Sequence, residues 1–180
     1  PSRLVGSEMC IRDRVDGIHF SDSTTSPMDA GWRAVTANLS DLAASGADHV
    51  DGITVALVAP GTTPWSWVNG LYEGIAAALA QHGGVLLGGD CSTGSERLIS
   101  ITALGRLGPL RLHRNAAQPG DVLVTSGPHG LSRLGLALLQ NEGLLPDDGH
   151  LPEPLQAAAV AQHRRPIPRF DALKALVDCK

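Results

Sequence analysis

The sequence predicts an α/β (α+β) fold, because segments with helical periodicity alternate with short β-branched runs along the chain. The composition supports this class, since 43% of the 180 residues are hydrophobic, 18% are charged and 21 are glycine. A chain of this length is enough for one domain, or for one domain and part of another.

The first helix has clear boundaries. The stretch "SPMDAGWRAVTANLSDLAASGAD" begins with a Ser-Pro boundary and closes on Gly46, which predicts a helix over residues 28–45. Apolar residues at intervals of three or four predict the face that packs in the core. They are Trp32, Val35, Leu39 and Leu42.

Three strands and a second helix follow from local patterns in the next segments. "GITVALVAP" predicts a strand that ends at Pro60, and "TTPWSWVNGLYEGIAAALAQHGG" predicts a helix. Thr63 is its expected N-cap, Pro64 its first residue and Gly83 the residue beyond its end. "GVLLGGD" predicts a short buried strand that runs into a loop, and "RLISITALGRL" a strand that can pair beside it.

The later part of the chain has a different pattern, and we place a domain boundary near residues 107–115. This divides the chain into a first domain over residues 15–109 and the start of a second domain over residues 110–180. The pattern predicts a strand over residues 121–126. It also predicts helices in "SRLGLALLQNEG", "EPLQAAAVAQHRR" and "RFDALKALVD".

Composition also argues against several classes of function. A net charge of −4 without a basic block disfavours nucleic acid as a partner, and no apolar run is long enough for a membrane span. The sequence therefore predicts a cytoplasmic protein. Cys10, Cys91 and Cys179 are too few and too scattered for a disulfide framework or a zinc site. Cys91 is interpreted as a packed residue rather than a nucleophile.

Two carboxylates are candidates for a functional site. Asp41 shares a helix face with Asn38 among small side chains, although taken alone it is better explained as part of a solvated polar face. Asp90 follows an apolar strand and two glycines, and its alternative role is a turn or helix cap. Together the two acids are typical of proteins that bind Mg²⁺, which uses one or two carboxylates and completes its shell with phosphate oxygens.

Glycines near these acids have two explanations. Gly88 and Gly89 would let backbone N–H groups approach phosphates, but they match no Walker pattern. Gly127 and Gly130 precede a helix N-terminus, a geometry that can bind anions, but a bend that needs glycine for steric reasons alone is the favoured interpretation. Taken alone, His19 and Arg114 are interpreted as ordinary surface residues.

Five motifs, in this order, resemble the thiamine-monophosphate kinase family of the aminoimidazole-ribonucleotide-synthetase-like superfamily. They are "VDGIHF", "NLSDLAASGA", "LLGGDCSTG", "LHRNAAQPGDVLVTSGPHGLSRLGLALLQ" and "RRPIPRF". The resemblance runs from residue 15 to about residue 178. It implies a mixed-sheet N-terminal domain of the AIR-synthetase-like type, followed by the start of its C-terminal α/β domain.

The resemblance also implies a reaction and a set of site residues. The family transfers the γ-phosphate of ATP to thiamine monophosphate with several Mg²⁺ ions and no covalent enzyme intermediate, so no catalytic nucleophile is expected. It implies Asp41 and Asp90 as metal ligands that face each other. Gly89, Asp90 and Arg114 are implied as ATP contacts and His19 as a substrate contact. The family forms homodimers through its N-terminal domains.

The sequence departs from the family pattern at both ends, and we interpret it as an internal fragment. "SEMCIRDR" resembles translated sequencing-adapter read-through, so residues 1–14 are predicted to be a non-native leader. The family's metal-binding Thr-Asp-Thr stretch would fall on Ile11, Arg12 and Asp13, where an arginine would repel Mg²⁺. An upstream Gly-Asp-Asp motif and the later Ser-Asp-Gly-Leu and Gly-Gly-Glu-Asp motifs are missing.

These departures predict that the fragment alone is inactive. Two alternative functions remain open from the sequence. One is a sister enzyme of selenophosphate synthetase or aminoimidazole ribonucleotide synthetase type, and the other is a non-catalytic nucleotide-binding domain.

Overall fold

A computed structural model of the chain describes residues 6–141 and 151–179. It confirms the α/β class: a four-stranded mixed sheet is covered on one face by helices. The elements are β1 (Ser7–Val15), α1 (Pro27–Ser45), β2 (Ala47–Ala59), α2 (Trp65–His82), β3 (Val85–Thr93), β4 (Leu98–Leu107), α3 (Leu131–Leu139), α4 (Glu153–Arg164) and α5 (Phe170–Asp178).

The strand order is β1-β4-β2-β3. Strands β2 and β3 are parallel because α2 carries the chain back between them, whereas β4 is antiparallel to both β1 and β2. The expectation that β4 pairs beside β3 is therefore wrong. Strand β4 takes a central position because its alternate residues Ile99, Ile101 and Ala103 are fully buried under the helices.

Helix α1 forms as predicted. Ser26 caps its start by accepting a hydrogen bond from the Asp29 amide at 3.1 Å, and Gly46 ends it in the left-handed conformation with φ +94°. Leu39 and Leu42 on its inner face are fully buried in the core. This face covers the sheet and fixes the orientation of the polar face that carries Asp41.

Helix α2 confirms the predicted end at Gly83 but not the predicted cap. Its N-cap is Pro64, whose side chain has no atom that can accept a hydrogen bond, and the preceding Thr63 amide donates to the Pro60 carbonyl at 2.9 Å in a turn. The prediction of Thr63 as N-cap is therefore wrong. The first turn of α2 is instead held by packing, with Trp67 buried against Phe20.

Strand β3 differs most from its prediction. It continues to Thr93 instead of ending in a loop before Asp90, and all nine of its residues are exposed. It is an edge strand whose only described neighbour is β2, so its apolar residues are not covered. Val85, Leu86 and Leu87 have exposed fractions of 58%, 45% and 53%.

Helices α4 and α5 contact α1, and α3 packs against α4. The Trp32 indole donates to the Pro166 carbonyl at 2.9 Å, and Arg165 pairs with Asp29 at 2.7 Å. The strand predicted over residues 121–126 does not form, since Leu123 is 98% exposed and no strand among the described residues pairs with this segment. The predicted end of the helix in "SRLGLALLQNEG" lies outside the described residues.

Domain boundaries and the origin of residues 1–14 stay predictions, although residues 7–15 form the outer strand β1 in the structure. None of the helices within residues 6–141 and 151–179 is long and apolar enough to cross a membrane.

A buried histidine links α4 to α1. Arg33 lies 2.9 Å from Nε2 of His163, and Ser132 Oγ lies 3.4 Å from Nδ1. Since the guanidinium can only donate, the neutral ring carries its proton on Nδ1. Burial, and next the positive charge of Arg33, lower the pKa of His163 to about 4; the charge of Arg164 acts in the same direction.

This histidine predicts a loss of stability in mild acid. Its folded pKa lies below the ordinary 6.5, so the unfolded chain binds the proton first as pH falls. The stability that the neutral His163 ring contributes is fully present above the unfolded pKa. It is lost as the pH falls toward the folded pKa. Urea unfolding should give a free energy lower by roughly 1 to 2 kcal/mol at pH 5 than at pH 7 from this residue.

His163→Gln should remove that part of the pH dependence, whereas His113→Gln, at an exposed position, should keep it. Equal pH profiles for the parent chain and His163→Gln would contradict the assignment.

Candidate nucleotide and metal site

Asp41 lies on the polar face of α1 and is bound by an arginine of β1. Arg12 Nε donates to Oδ2 at 2.5 Å and its NH2 group donates to Oδ1 at 2.9 Å, so both carboxylate oxygens are engaged. The Asp41 side chain is 26% exposed. The contact exists because alternation along β1 turns Arg12 toward the helices, on the same face as Cys10 and Arg14.

Asp41 and Arg114 line one small cavity of about 200 Å³. The segment after β4 carries Arg114 there, because the Leu112 amide donates to the Ser45 carbonyl at 3.2 Å at the end of α1. This segment can approach the end of α1 only because residue 46 is glycine, where a Cβ would lie 2.0 Å from the Leu110 carbonyl oxygen. Two of the predicted site residues are thus brought together. The cavity is lined by Cys10, Ile11, Asp41, Ala44, Ser45, Leu112 and Arg114.

Asp90 and Gly89 lie elsewhere, on β3. The Ser92 hydroxyl donates to Asp90 Oδ2 at 3.0 Å, and the Asp90 side chain is exposed. A Cβ at Gly89 would lie 1.9 Å from the Val55 carbonyl oxygen, so close strand packing already requires this glycine. The approach of a phosphate is not needed to explain it.

The strand order separates the two acids. Arg12 and its partner Asp41 lie at the β1 edge of the sheet, whereas Asp90 lies on β3 at the opposite edge. The expectation that Asp41 faces Asp90 is therefore wrong within one chain. Cross-strand register instead aligns Asp90 with Ala56, Ser100 and Asp13 on the face of the sheet opposite the core, which we call the open face.

His19 closes the turn after β1. Its Nδ1 accepts the Val15 amide at 3.1 Å, and its own amide donates to the Val15 carbonyl at 2.8 Å. The neutral ring therefore carries its proton on Nε2. His19 is exposed, as a residue that contacts a substrate must be.

Arg97 holds the same turn in place. It binds Asp16 at 2.5 Å and Asp22 at 2.9 Å, and its guanidinium lies 4.6 Å from the Trp67 ring centroid. The hydrogen bond from Arg97 keeps the pKa of Asp22 below its usual value. No sequence pattern indicates this cluster, because its members are separated by up to 81 residues along the chain.

The donor set does not fit Mg²⁺ in this chain. Within the part of the chain that the structure describes, no group of three or more His, Cys, Asp or Glu side chains could hold a metal ion. Asp41 has both oxygens bound to Arg12, and Asp90 stands at the other sheet edge. The metal roles of these two residues remain predictions.

The fold and the arrangement of the site define a mixed-sheet α/β protein with an exposed edge strand and a small polar cavity beside its first helix. Residues 10–107 match the model of the family described as AIR synthase related protein, N-terminal domain. The match covers more than half of the chain, and the chain belongs to this family.

Comparison with individual proteins confirms the resemblance to thiamine-monophosphate kinases. The chain is 52% identical over 177 residues to the thiamine-monophosphate kinase of Prochlorococcus marinus, a match that covers 98% of this chain and 52% of that protein. It is 45% identical over 163 residues to the enzyme of Synechococcus elongatus, covering 90% of this chain and 48% of that protein. The chain thus spans about half the length of these relatives.

A solved structure agrees with this placement. AaThiL complexed with AMPPCP and TMP superposes with a TM-score of 0.82 at 28% identity, covering 94% of this chain and 52% of that chain. The AIR-synthetase-like fold is confirmed.

Proposed function

We propose that this chain is part of an enzyme that transfers the γ-phosphate of ATP to thiamine monophosphate and forms thiamine diphosphate. The observation that carries the proposal is the 52% identity to a thiamine-monophosphate kinase over 98% of the chain. The structure of AaThiL with AMPPCP and TMP supports the same pair of substrates.

The local geometry is compatible with phosphoryl transfer. This reaction asks a protein mainly to position two phosphate groups and to neutralise their charge, without a nucleophile of its own. The exposed Arg114 at the cavity can bind a phosphate oxygen, and the exposed His19 lies on a turn fixed by Arg97. The cytoplasmic location stays a prediction.

The chain alone is proposed to be inactive. Mg²⁺ would supply charge neutralisation in the whole enzyme, but the donors in this chain do not form a site for it. Residues 15–179 should gain activity when they replace the matching segment of the Prochlorococcus marinus relative, which then contributes its own preceding and following sequence. Turnover by this chimera, and none by the chain alone, is the test of the proposed function.

Each of the two alternative functions, a sister enzyme or a binding-only domain, predicts a different result for the chimera. A sister enzyme would leave thiamine monophosphate unused, and a binding-only domain would bind ATP without transfer. The level of identity to the thiamine-monophosphate kinases favours the first proposal over both.

We further propose that β3 and the open face pair with a second copy of the chain. An entirely exposed edge strand with three consecutive apolar residues offers unpaired backbone groups and uncovered apolar surface. A homodimer would cover both and would bring Asp90 of one copy near the sheet of the other. The implied homodimer of the family is consistent with this surface.

A charge on this edge should weaken self-association. Leu86→Lys places a cation on β3, which disfavours strand pairing, and should raise the dimer dissociation constant roughly tenfold or more. Sedimentation velocity of the chain over a concentration series measures this constant. Ile18→Lys is the matched control, since Ile18 is 75% exposed in the turn after β1. A parent chain that stays monomeric at all concentrations would contradict the proposal.

A further inference from the structure

The turn that carries His19 is closed by hydrogen bonds between near neighbours. The Gly17 amide donates to the Phe20 carbonyl at 2.8 Å, and the Val15 amide donates to Nδ1 of His19 at 3.1 Å. Ile18 at the tip of the turn is 75% exposed. Exposed hydrogen bonds each contribute little stability, because water competes for the same groups. The position of His19 therefore depends on what anchors the two ends of the turn.

Arg97 anchors both ends at once. Its guanidinium binds Asp16 before the tip of the turn at 2.5 Å and Asp22 after it at 2.9 Å. Its backbone carbonyl also accepts the Asp16 amide at 3.0 Å. Arg97 directly precedes β4, which is paired with a strand on each side. The turn is thus attached to an interior strand of the sheet.

The Arg97 side chain is itself held in place by aromatic rings. Only 14% of it is exposed, and its guanidinium lies 4.6 Å from the ring centroid of Trp67 and 5.8 Å from that of Phe20. The Trp67 indole also donates to Asp22 at 3.2 Å. A guanidinium can bind two carboxylates through separate donors while it stacks on a ring, which suits it to this place. The cluster connects the turn to both β4 and α2.

We infer that Arg97 is a positioning residue for the reaction, which fixes the turn and so holds the His19 side chain where it meets the substrate. The inference rests on the proposed function, in which His19 contacts the substrate. It goes further because Arg97 lies outside the five motifs of the family resemblance.

Hydrogen exchange of the Val15 amide tests this role without turnover. The amide donates to His19 Nδ1, so its protection reports whether the histidine ring is held. In the ¹⁵N-labelled 180-residue chain, Arg97→Gln should speed this exchange about tenfold. Asp22→Asn removes one of the two anchors and should have a smaller effect in the same direction. Arg106→Gln is the matched control, because Arg106 binds a carboxylate at 2.7 Å near the other end of β4, and its exchange should equal that of the parent.

Kinetics of the chimera test whether Arg97 acts through His19. Arg97→Gln should lower kcat/KM for thiamine monophosphate about tenfold, mainly through a higher KM, and should leave KM for ATP within about twofold of the parent. In a chimera that already carries His19→Ala, adding Arg97→Gln should cost less than about twofold further, because the residue through which it acts is gone.

Three results would overturn the inference. They are an unchanged Val15 exchange in Arg97→Gln, an equal rise in KM for ATP and for thiamine monophosphate, and the same loss of kcat/KM with and without His19. An inactive parent chimera would instead refute the proposed function, and the Val15 exchange would still decide whether Arg97 holds His19.

Discussion

Asp90→Asn in the chimera should lower kcat/KM for thiamine monophosphate about 100-fold or more, which corresponds to about 2.7 kcal/mol of transition-state stabilisation. The substitution removes the charge and keeps the size of the side chain. In the proposed function this carboxylate contacts ATP or its metal ion, and such a charge acts on the transferred group. The expected loss is measured from initial rates at saturating ATP.

A loss of activity in Asp90→Asn can be assigned to the missing charge only if the substitution leaves the fold intact. Asp90 is exposed and its one described side-chain hydrogen bond comes from Ser92, so the free energy of unfolding should change by less than about 1 kcal/mol. Asp178→Asn, at an exposed position on α5, should retain full activity. A fully active Asp90→Asn enzyme would remove Asp90 from the site.

Gly74→Ala should lower the free energy of unfolding of the chain by about 3 kcal/mol. A Cβ at this position would lie 1.9 Å from the Met28 carbonyl oxygen, which belongs to the backbone of α1 and cannot turn aside. A Cβ at Gly31 of α1 would likewise lie 2.0 Å from the Leu71 carbonyl oxygen of α2. The two helices over the sheet approach each other through these two glycines, so widening one contact displaces the whole helix pair.

Gly70→Ala on the same helix is the matched control. Its Cβ would meet the Pro27 side chain at 3.1 Å, a tight contact that a small shift relieves. Since alanine is favoured over glycine in a helix by about 1 kcal/mol, this variant should stay within about 1 kcal/mol of the parent. Urea unfolding followed by circular dichroism measures both. Equal effects of the two substitutions would show that the helices are not held at this distance.

Local signals in the sequence were sufficient to predict the helices. Ser26 and Gly46 carry capping chemistry, and Leu39 and Leu42 repeat at helical spacing, so α1 appears where it was predicted. Strand order was not accessible in this way, because an apolar run such as "GVLLGGD" does not show whether its neighbours cover it. In the structure β4 takes the central place and β3 the exposed edge.

The residues proposed for the site come from the family resemblance and stay predictions, and their arrangement could not be predicted. The resemblance pointed to Asp41 and Arg114, and the structure places both at one cavity. The hydrogen bonds from Arg12 to Asp41 join residues 29 positions apart, and no spacing rule connects them. The distance between Asp41 and Asp90 depends on strand order, which sequence patterns left open.

The most direct test of the proposed function is the fate of the γ-phosphate in the chimera of residues 15–179 with the Prochlorococcus marinus relative. ATP labelled at the γ-phosphate is incubated with thiamine monophosphate, Mg²⁺ and the chimera, and the products are separated. We expect the label in thiamine diphosphate, with one ADP formed for each molecule of product. A folded chimera that binds ATP but leaves thiamine monophosphate unlabelled would contradict the proposed function.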